Sequence, residues 1–275
     1  MALTALQRAI CRTIAANRKS QGEAYVAGAV ALNELLAAPR VSRDIDLFHD
    51  TQDALHATWD ADRRLLADNG FTLRVLRERS GFVECVVSRG EESVVMQWLQ
   101  DSAFRFFPLV EHPDFGLVLH PFDLATNKVL ALVGRLEVRD WLDVISCHDG
   151  LQPLGYLAWA ACGKDAGLNP SFILREARRS GHYSHTEFDS LAFSGAAPSL
   201  ADAQQRWRGI LADAQEILDV LPAAEVGRCV LDANCGLFGG DAGALADRLR
   251  TGGIRFHSGS IRGVLPQFPH RDNAA

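Results

Sequence analysis

Two aspartates inside an apolar, strand-like run constrain this chain more than any other feature: Arg40-Val-Ser-Arg-Asp-Ile-Asp-Leu-Phe48. Ile45, Leu47 and Phe48 mark a short strand, yet aspartate is a poor strand former and gains nothing from burial without a counter-ion. Period-two geometry sends Asp44 and Asp46 to one face while Ile45 points into the opposite layer. Carboxylates that close repel unless a cation neutralises them. Hard oxygen ligands suit Mg²⁺ or Mn²⁺, and Mg²⁺ commonly bridges one or two carboxylates to substrate phosphates. A bare Asp-x-Asp is more often a solvated turn, so the neighbouring sequence has to decide.

Upstream, Leu3, Leu6, Ile10 and Ile14 predict an amphipathic helix over residues 3–19 that ends near Ser20-Gln-Gly22. Ala24-Tyr-Val-Ala27 reads as a strand, Gly28 as a turn and residues 29–38 as a helix closed by Pro39. The N-terminal amides and dipole of such a helix can receive a triphosphate. Downstream, residues 51–68 read as a helix ended by Asn69-Gly70, and 71–77, 82–88 and 93–99 as strands. The last two strands form a hairpin across Arg89-Gly-Glu-Glu92, which makes the sheet mixed. Helices are expected from Asp123 through Lys128 to about Val133, and from Val138 to Cys147.

A hydrophobic-glycine turn followed after a short gap by two alternating aspartates is the pattern of the polymerase-beta-like nucleotidyltransferase superfamily, which this stretch resembles. More narrowly, four segments resemble the AbiEii/MenT toxin family: Val26-Ala-Gly-Ala-Val-Ala-Leu32, Arg40 to Phe48, Asp123-Leu-Ala-Thr-Asn-Lys128-Val-Leu-Ala-Leu132, and Arg135-x-x-x-Arg139-Asp140-x-x-Asp143. The matches span roughly residues 22–148. The resemblance implies an α+β fold, with a nucleotidyltransferase-like mixed sheet flanked by helices over residues 1–150. It also implies transfer of a nucleotide from an NTP to an acceptor hydroxyl. Asp44 and Asp46 would bind metal, and Lys128 would contact the triphosphate. The acceptor would be a tRNA 3′ end and the partner an antitoxin, the chain acting as the toxin of that pair. Gly28, Ala29, Arg40, Ser42, Arg135 and Arg139 join Lys128 as nucleotide-binding candidates.

Read without the family, Lys128, Arg135 and Arg139 fall within about 20° of one helical face if the helix continues past Gly134. That stripe is either a phosphate clamp or a solvated face paired with Glu137, Asp140 and Asp143. Asp140 and Asp143 would orient the basic groups, or Asp140 would act as a base.

Two departures bear on catalysis. The small hydroxyl residue often found beside the turn is replaced by Ala29 and Val30, which leaves only backbone amides for phosphate. The third carboxylate that the superfamily usually supplies falls on Gln97, which is neutral. The four-residue hairpin loop sets Glu84 opposite Gln97 and on its face, so Glu84 either supplies a metal-binding carboxylate or is an edge-strand charge that discourages aggregation. These departures keep two other readings open: a catalytically impaired nucleotide-binding or protein-interaction descendant, and a transferase acting on a small molecule.

Gly150-Leu-Gln-Pro153 is the expected boundary of a mainly helical domain over residues 151–275. It carries helices at 154–162, 171–179 and 199–219 and a strand, helix and strand at 228–232, 242–250 and 254–257. Residues 269–275 are expected to fray. No apolar run approaches the roughly 18 residues of a membrane span and no signal-peptide core is visible, so a cytoplasmic protein without membrane contact is expected. A net charge of −6 argues against a whole-surface footprint for nucleic acid, leaving Arg175, Arg178 and Arg179 as a local candidate. The six cysteines show no C-x-x-C spacing and read as packed thiols.

Overall fold

Local signals fix the first helix and aim the strand after it. Residues 3–267 are described in a computed structural model; the segment expected to fray lies outside them. Helix α1 (Ala5–Gln21) opens on a capping box between Thr4 and Gln7 and stops at Gly22, whose φ of 71° no β-carbon opposes. It buries Leu6, Ile10 and Ile14. Strand β1 (Ala24–Ala27) and helix α2 (Gly28–Leu35) come next, then β2 (Asp44–His49) and α3 (Gln52–Asp68). The antiparallel run is β3 (Thr72–Arg79), β4 (Phe82–Arg89) and β5 (Glu92–Gln100).

Between β5 and the next helix lie three short strands that were not foreseen: β6 (Phe104–Arg105), β7 (Val110–His112) and β8 (Gly116–Val118). With β7 and β8 the main sheet has seven strands in the order β3-β4-β5-β2-β1-β8-β7, with β2 parallel to β5 and β1 parallel to β8; β6 stands outside it. The mixed sheet is therefore as expected, and wider.

Alternation along the central strands divides its faces. Ile45, Leu47, Val83, Cys85, Met96 and Trp98 are fully buried, on the side where α1 and α3 pack. Asp44, Asp46, Glu84 and Gln97 stand half-buried on the other.

Helix α4 (Pro121–Arg135) packs against α2, and α5 (Val138–Gly150) folds back on α4. Helices α6 (Leu154–Ala161), α7 (Pro170–Ala177), α8 (His185–Asp189) and α9 (Leu200–Val220) make up the helical region. The expected strand-helix-strand unit is β9 (Cys229–Asp232), α10 (Ala242–Arg250) and β10 (Ile254–His257), with antiparallel strands; β11 (Ser260–Ile261) returns to pair with β6.

One hydrophobic core runs from Leu3 through the sheet to Trp207 and Leu231, crossing the turn at 150–153, and a smaller one around Tyr156, Ile217, Val230 and Ile254 seats the C-terminal unit. Five cysteines are buried and Cys235 is exposed, all as free thiols. No helix among the described residues is long and apolar enough to cross a membrane.

Candidate active site

Gly28 is required where it stands, for two separate reasons. Its φ is 70°, a backbone state that costs an L-residue about 1–2 kcal/mol. A β-carbon there would lie 2.2 Å from Oδ2 of Asp46. The turn thus brings the start of α2 against the second aspartate of β2, and β1 and β2 hold the two in register by pairing Ala27 with Asp46. No side chain caps α2. Its first amides, Gly28 and Ala29 among them, have no partner of their own in the helix, which makes this end an acceptor for anions.

The aspartates stand as the alternation requires. Both line a cavity of about 750 Å³ with Ala29, Gln97, Lys128 and Arg135. Among the described residues no hydrogen bond or ion pair reaches either carboxylate. Burial and the nearby charge of Asp44 push the Asp46 carboxyl up to about 6, against the downward pull of Lys128, Arg139 and Arg135. Two mutually repelling carboxylates without a counter-ion, facing an uncapped helix start, fit a divalent cation with phosphate oxygens. No group of three His, Cys, Asp or Glu residues suited to a metal occurs among the described residues, so such an ion would rely on ligands beyond carboxylates.

The basic residues come together by a route the sequence did not suggest. Lys128, Arg135 and Arg139 do not form a stripe on one helix: α4 ends at Leu136, which takes a left-handed φ of 54°, and α5 starts afresh at Val138. Gly134, the expected breaker, stays helical. The hydroxyl of Tyr183 donates to the Leu136 carbonyl at 3.0 Å and supports this turn. Folding α5 back places Lys128 between two buried carboxylates, 3.2 Å from Asp140 and 2.9 Å from Asp143. Burial works against the ammonium charge, but Asp143 and Asp140 outweigh it and raise the Lys128 pKa; Lys128 and Arg40 likewise hold Asp143 low against its burial. Two of the three ammonium protons are engaged, which leaves one for a phosphate.

The other candidates divide by what they already hold. Arg135 forks onto Asp140 but keeps 46% of its side-chain surface exposed. Arg139 pairs with Glu137 at the cavity rim. Asp140 is fully buried and occupied by Arg135 and Lys128, a geometry that suits orientation of cations and not proton abstraction from an acceptor. Arg40 is buried with both arms on Asp143 at 2.8 Å, and the Ser42 hydroxyl donates to the Asp44 carbonyl at 3.3 Å. These two build the wall more than they reach into the cavity. Arg175 and Arg179 pair with Glu176, and Arg178 with Gln215.

Glu84 faces Gln97 and Gln97 faces Asp46, as the hairpin register predicts. Its reach is another matter. Glu84 sits two strands from Asp46, roughly 10 Å at ordinary strand spacing. It accepts a 2.9 Å hydrogen bond from the Gln97 amide and does not line the cavity.

Two contributions were missed. Glu187, Ser190, Leu191 and Ala192, from beyond residue 150, line the same cavity, and Val41 donates to the Ala192 carbonyl at 2.8 Å. Backbone pairing joins these segments, helped by donation from the Arg43 side chain to the Ser190 carbonyl and from the Ser194 hydroxyl to the Pro39 carbonyl. Every acceptor is a main-chain carbonyl, which leaves no pattern of side-chain pairs to read. A second cavity of about 530 Å³ meets the first at Asp46, Lys128 and Arg135, and is walled by Tyr25, Phe48 and Phe104 with Lys164 at its base. Alternation of β2 would have placed Phe48 with the aspartates; Phe104 and Lys164 carry no local signal.

No protein-family model and no curated protein matches the chain. Among solved structures it is similar to MenT4, a nucleotidyltransferase toxin of Mycobacterium tuberculosis H37Rv, at 16% identity over 80% of this chain and 88% of that one, with a TM-score of 0.50. Two Helicobacter pylori structures also align at 14% identity and a TM-score of 0.47. One is a candidate nucleotidyltransferase, matched over 80% of this chain and 98% of its own; the other is JHP933, over 78% and 90%. At such identities the likeness is one of fold, and the fold shared with MenT4 is the nucleotidyltransferase fold that the turn and the paired aspartates led us to expect.

Proposed function

We propose that this chain, with a nucleotidyltransferase fold, is a divalent-metal-dependent nucleotidyltransferase that moves an NMP group from an NTP to an acceptor hydroxyl. The observation that carries the reading is the unpaired Asp44 and Asp46 carboxylates, set against Gly28 at the uncapped start of α2. Those aspartates would hold Mg²⁺ or Mn²⁺, which supplies charge neutralisation at the triphosphate and lowers the pKa of the acceptor hydroxyl.

The chain's own groups do the rest. The amides of Gly28 and Ala29 receive phosphate oxygens, the free proton of Lys128 and the exposed edge of Arg135 stabilise the charge that grows on the leaving group, and Arg139 steers it from the rim. The acceptor oxygen forms a bond to the α-phosphorus as the bond to the β-phosphate oxygen breaks. Pyrophosphate leaves and the hydroxyl proton passes to solvent.

The acceptor in this reading is a tRNA 3′ end and the partner an antitoxin, as the sequence resemblance implies; toxicity as the outcome accords with the likeness to MenT4, a nucleotidyltransferase toxin. A catalytically impaired descendant is the second reading, and neutral Gln97 is the observation that favours it. Incubating the chain with each labelled NTP, Mg²⁺ and either total tRNA or small-molecule fractions as acceptors, beside Asp46→Asn, tests both. Label on tRNA from the parent alone supports transfer. Label only on a small-molecule fraction moves the acceptor class, and no label on any acceptor favours the impaired descendant.

A further inference from the structure

We infer that Gln97, held in place by Glu84, contributes its side-chain carbonyl oxygen as a third ligand of the metal site. The inference rests on the two-aspartate reading above. The register sets Arg77, Glu84, Gln97 and Asp46 in one row across four strands, from the edge of the sheet to the cavity. Gln97 lines that cavity with Asp44 and Asp46, whereas Glu84 stands behind it.

The Gln97 amide nitrogen donates to Oε1 of Glu84 at 2.9 Å. A carboxylate only accepts hydrogen bonds, so the nitrogen end of the amide must face β4. Nitrogen and oxygen diverge from one planar carbon, which turns the carbonyl away from Glu84 and toward β2, where Asp46 stands. Which end of the amide is which therefore follows from the chemistry of its partner.

A neutral oxygen is a suitable third ligand here. With Asp44 and Asp46 it gives a hard-oxygen set whose two negative charges match a divalent cation, where a third carboxylate would add repulsion to a pair that already repels. Glu84 is then a positioning residue. It touches neither metal nor substrate, and its part is to keep the carbonyl from rotating away.

The test is Mn²⁺ binding to the full chain, read from the loss of the free-ion electron paramagnetic resonance signal. The parent binds and Asp46→Asn does not. Gln97→Ala weakens binding about tenfold, and Glu84→Gln, which lets the amide turn over, weakens it by about the same factor. Combining Glu84→Gln with Gln97→Glu recovers binding lost in Glu84→Gln alone, because the amide introduced at position 84 donates to one oxygen of the new carboxylate and leaves the other turned toward the site, which offsets the added repulsion once the cation is bound. That recovery separates positioning from a fold defect.

Parent-like Mn²⁺ affinity in Gln97→Ala, with binding lost in Asp46→Asn, overturns the role of Gln97 and leaves the two-aspartate site standing. Absence of Mn²⁺ binding by the parent, or its persistence in Asp46→Asn, overturns the two-aspartate reading and this inference with it.

Discussion

The chain carries two pairs of aspartates within reach of the same cavity, and their environments are opposite. Asp140 and Asp143 are buried and saturated, with Arg135, Lys128 and Arg40 supplying more positive charge than they carry. Asp44 and Asp46 stand half-buried with no protein cation bound to either, although Lys128, Arg135 and Arg139 line the cavity beside them. The fold thus spends its cations on one pair and withholds them from the other. A carboxylate whose counter-ion is built in can hold a scaffold. One whose counter-ion is missing is strained until something arrives from solution, and that strain marks the pair as a site.

The largest effect should come from breaking the open pair. Asp46→Asn removes several kcal/mol of charge stabilisation in the transition state, and we expect nucleotide transfer to fall about a thousandfold. Single-turnover assays with labelled NTP check this. A fall below tenfold would mean that the open pair is not where the chemistry happens.

The closed pair should respond in stability instead. Asp143→Ala leaves Arg40 buried with no partner and Lys128 with one, and removing one member of a buried pair typically costs 3–5 kcal/mol. Because Asp140 stays beside Lys128, we expect about 3 kcal/mol, read from urea unfolding. A loss under 1 kcal/mol would place Asp143 among ordinary surface charges.

Gly28 sharpens the contrast from the backbone side. Gly28→Ala sets a β-carbon against Oδ2 of Asp46, so the carboxylate has to move or the turn has to open. Misplacing a reacting group by about 1 Å costs on the order of a hundredfold in rate, and that is the expected loss in transfer. Gly134→Ala, in a helix and with open space around its Cβ position, should leave the rate as it is.

How much of this was legible in the sequence depends on the range of each interaction. The Gly28 turn, the alternation of Asp44 and Asp46 and the Glu84-Gln97 register are local, set within a turn, a strand or a hairpin loop, and the last is fixed by loop length alone. Pairing of Asp140 and Asp143 with the basic groups was among the sequence's alternatives, but its route was hidden, because it depends on Leu136 entering a left-handed conformation that sequence rules assign to glycine. Strands β7 and β8 are three residues each, too short to show a period. The segment at 190–194 reaches residues 39–41 through backbone bonds. Fold class was therefore legible, and so were the partners of the closed pair, while its burial and the far wall of the cavity were not.

The smallest prediction is the one that measures the missing counter-ion directly. In the folded chain the Asp46 carboxyl is pushed up to about 6 from an ordinary 3.8. A carboxyl raised on folding favours the folded state while protonated. That contribution is complete below about pH 4 and is lost as pH climbs through about 6. At pH 8 without metal the ionised aspartate therefore works against folding, and Asn at the same position does not. Discounting for solvent that screens the cavity, we expect Asp46→Asn to be more stable than the parent by about 1–2 kcal/mol at pH 8 in chelator. The gap should close below pH 4, where both side chains are neutral. Mg²⁺ or Mn²⁺ should narrow it at pH 8 by stabilising the parent alone. An equivalent series on Asp143→Asn should run the other way, since that carboxyl is held low and supports folding at neutral pH. If Asp46→Asn proves less stable than the parent at pH 8 without metal, the protein already supplies Asp46 with a counter-ion and the open pair is not open.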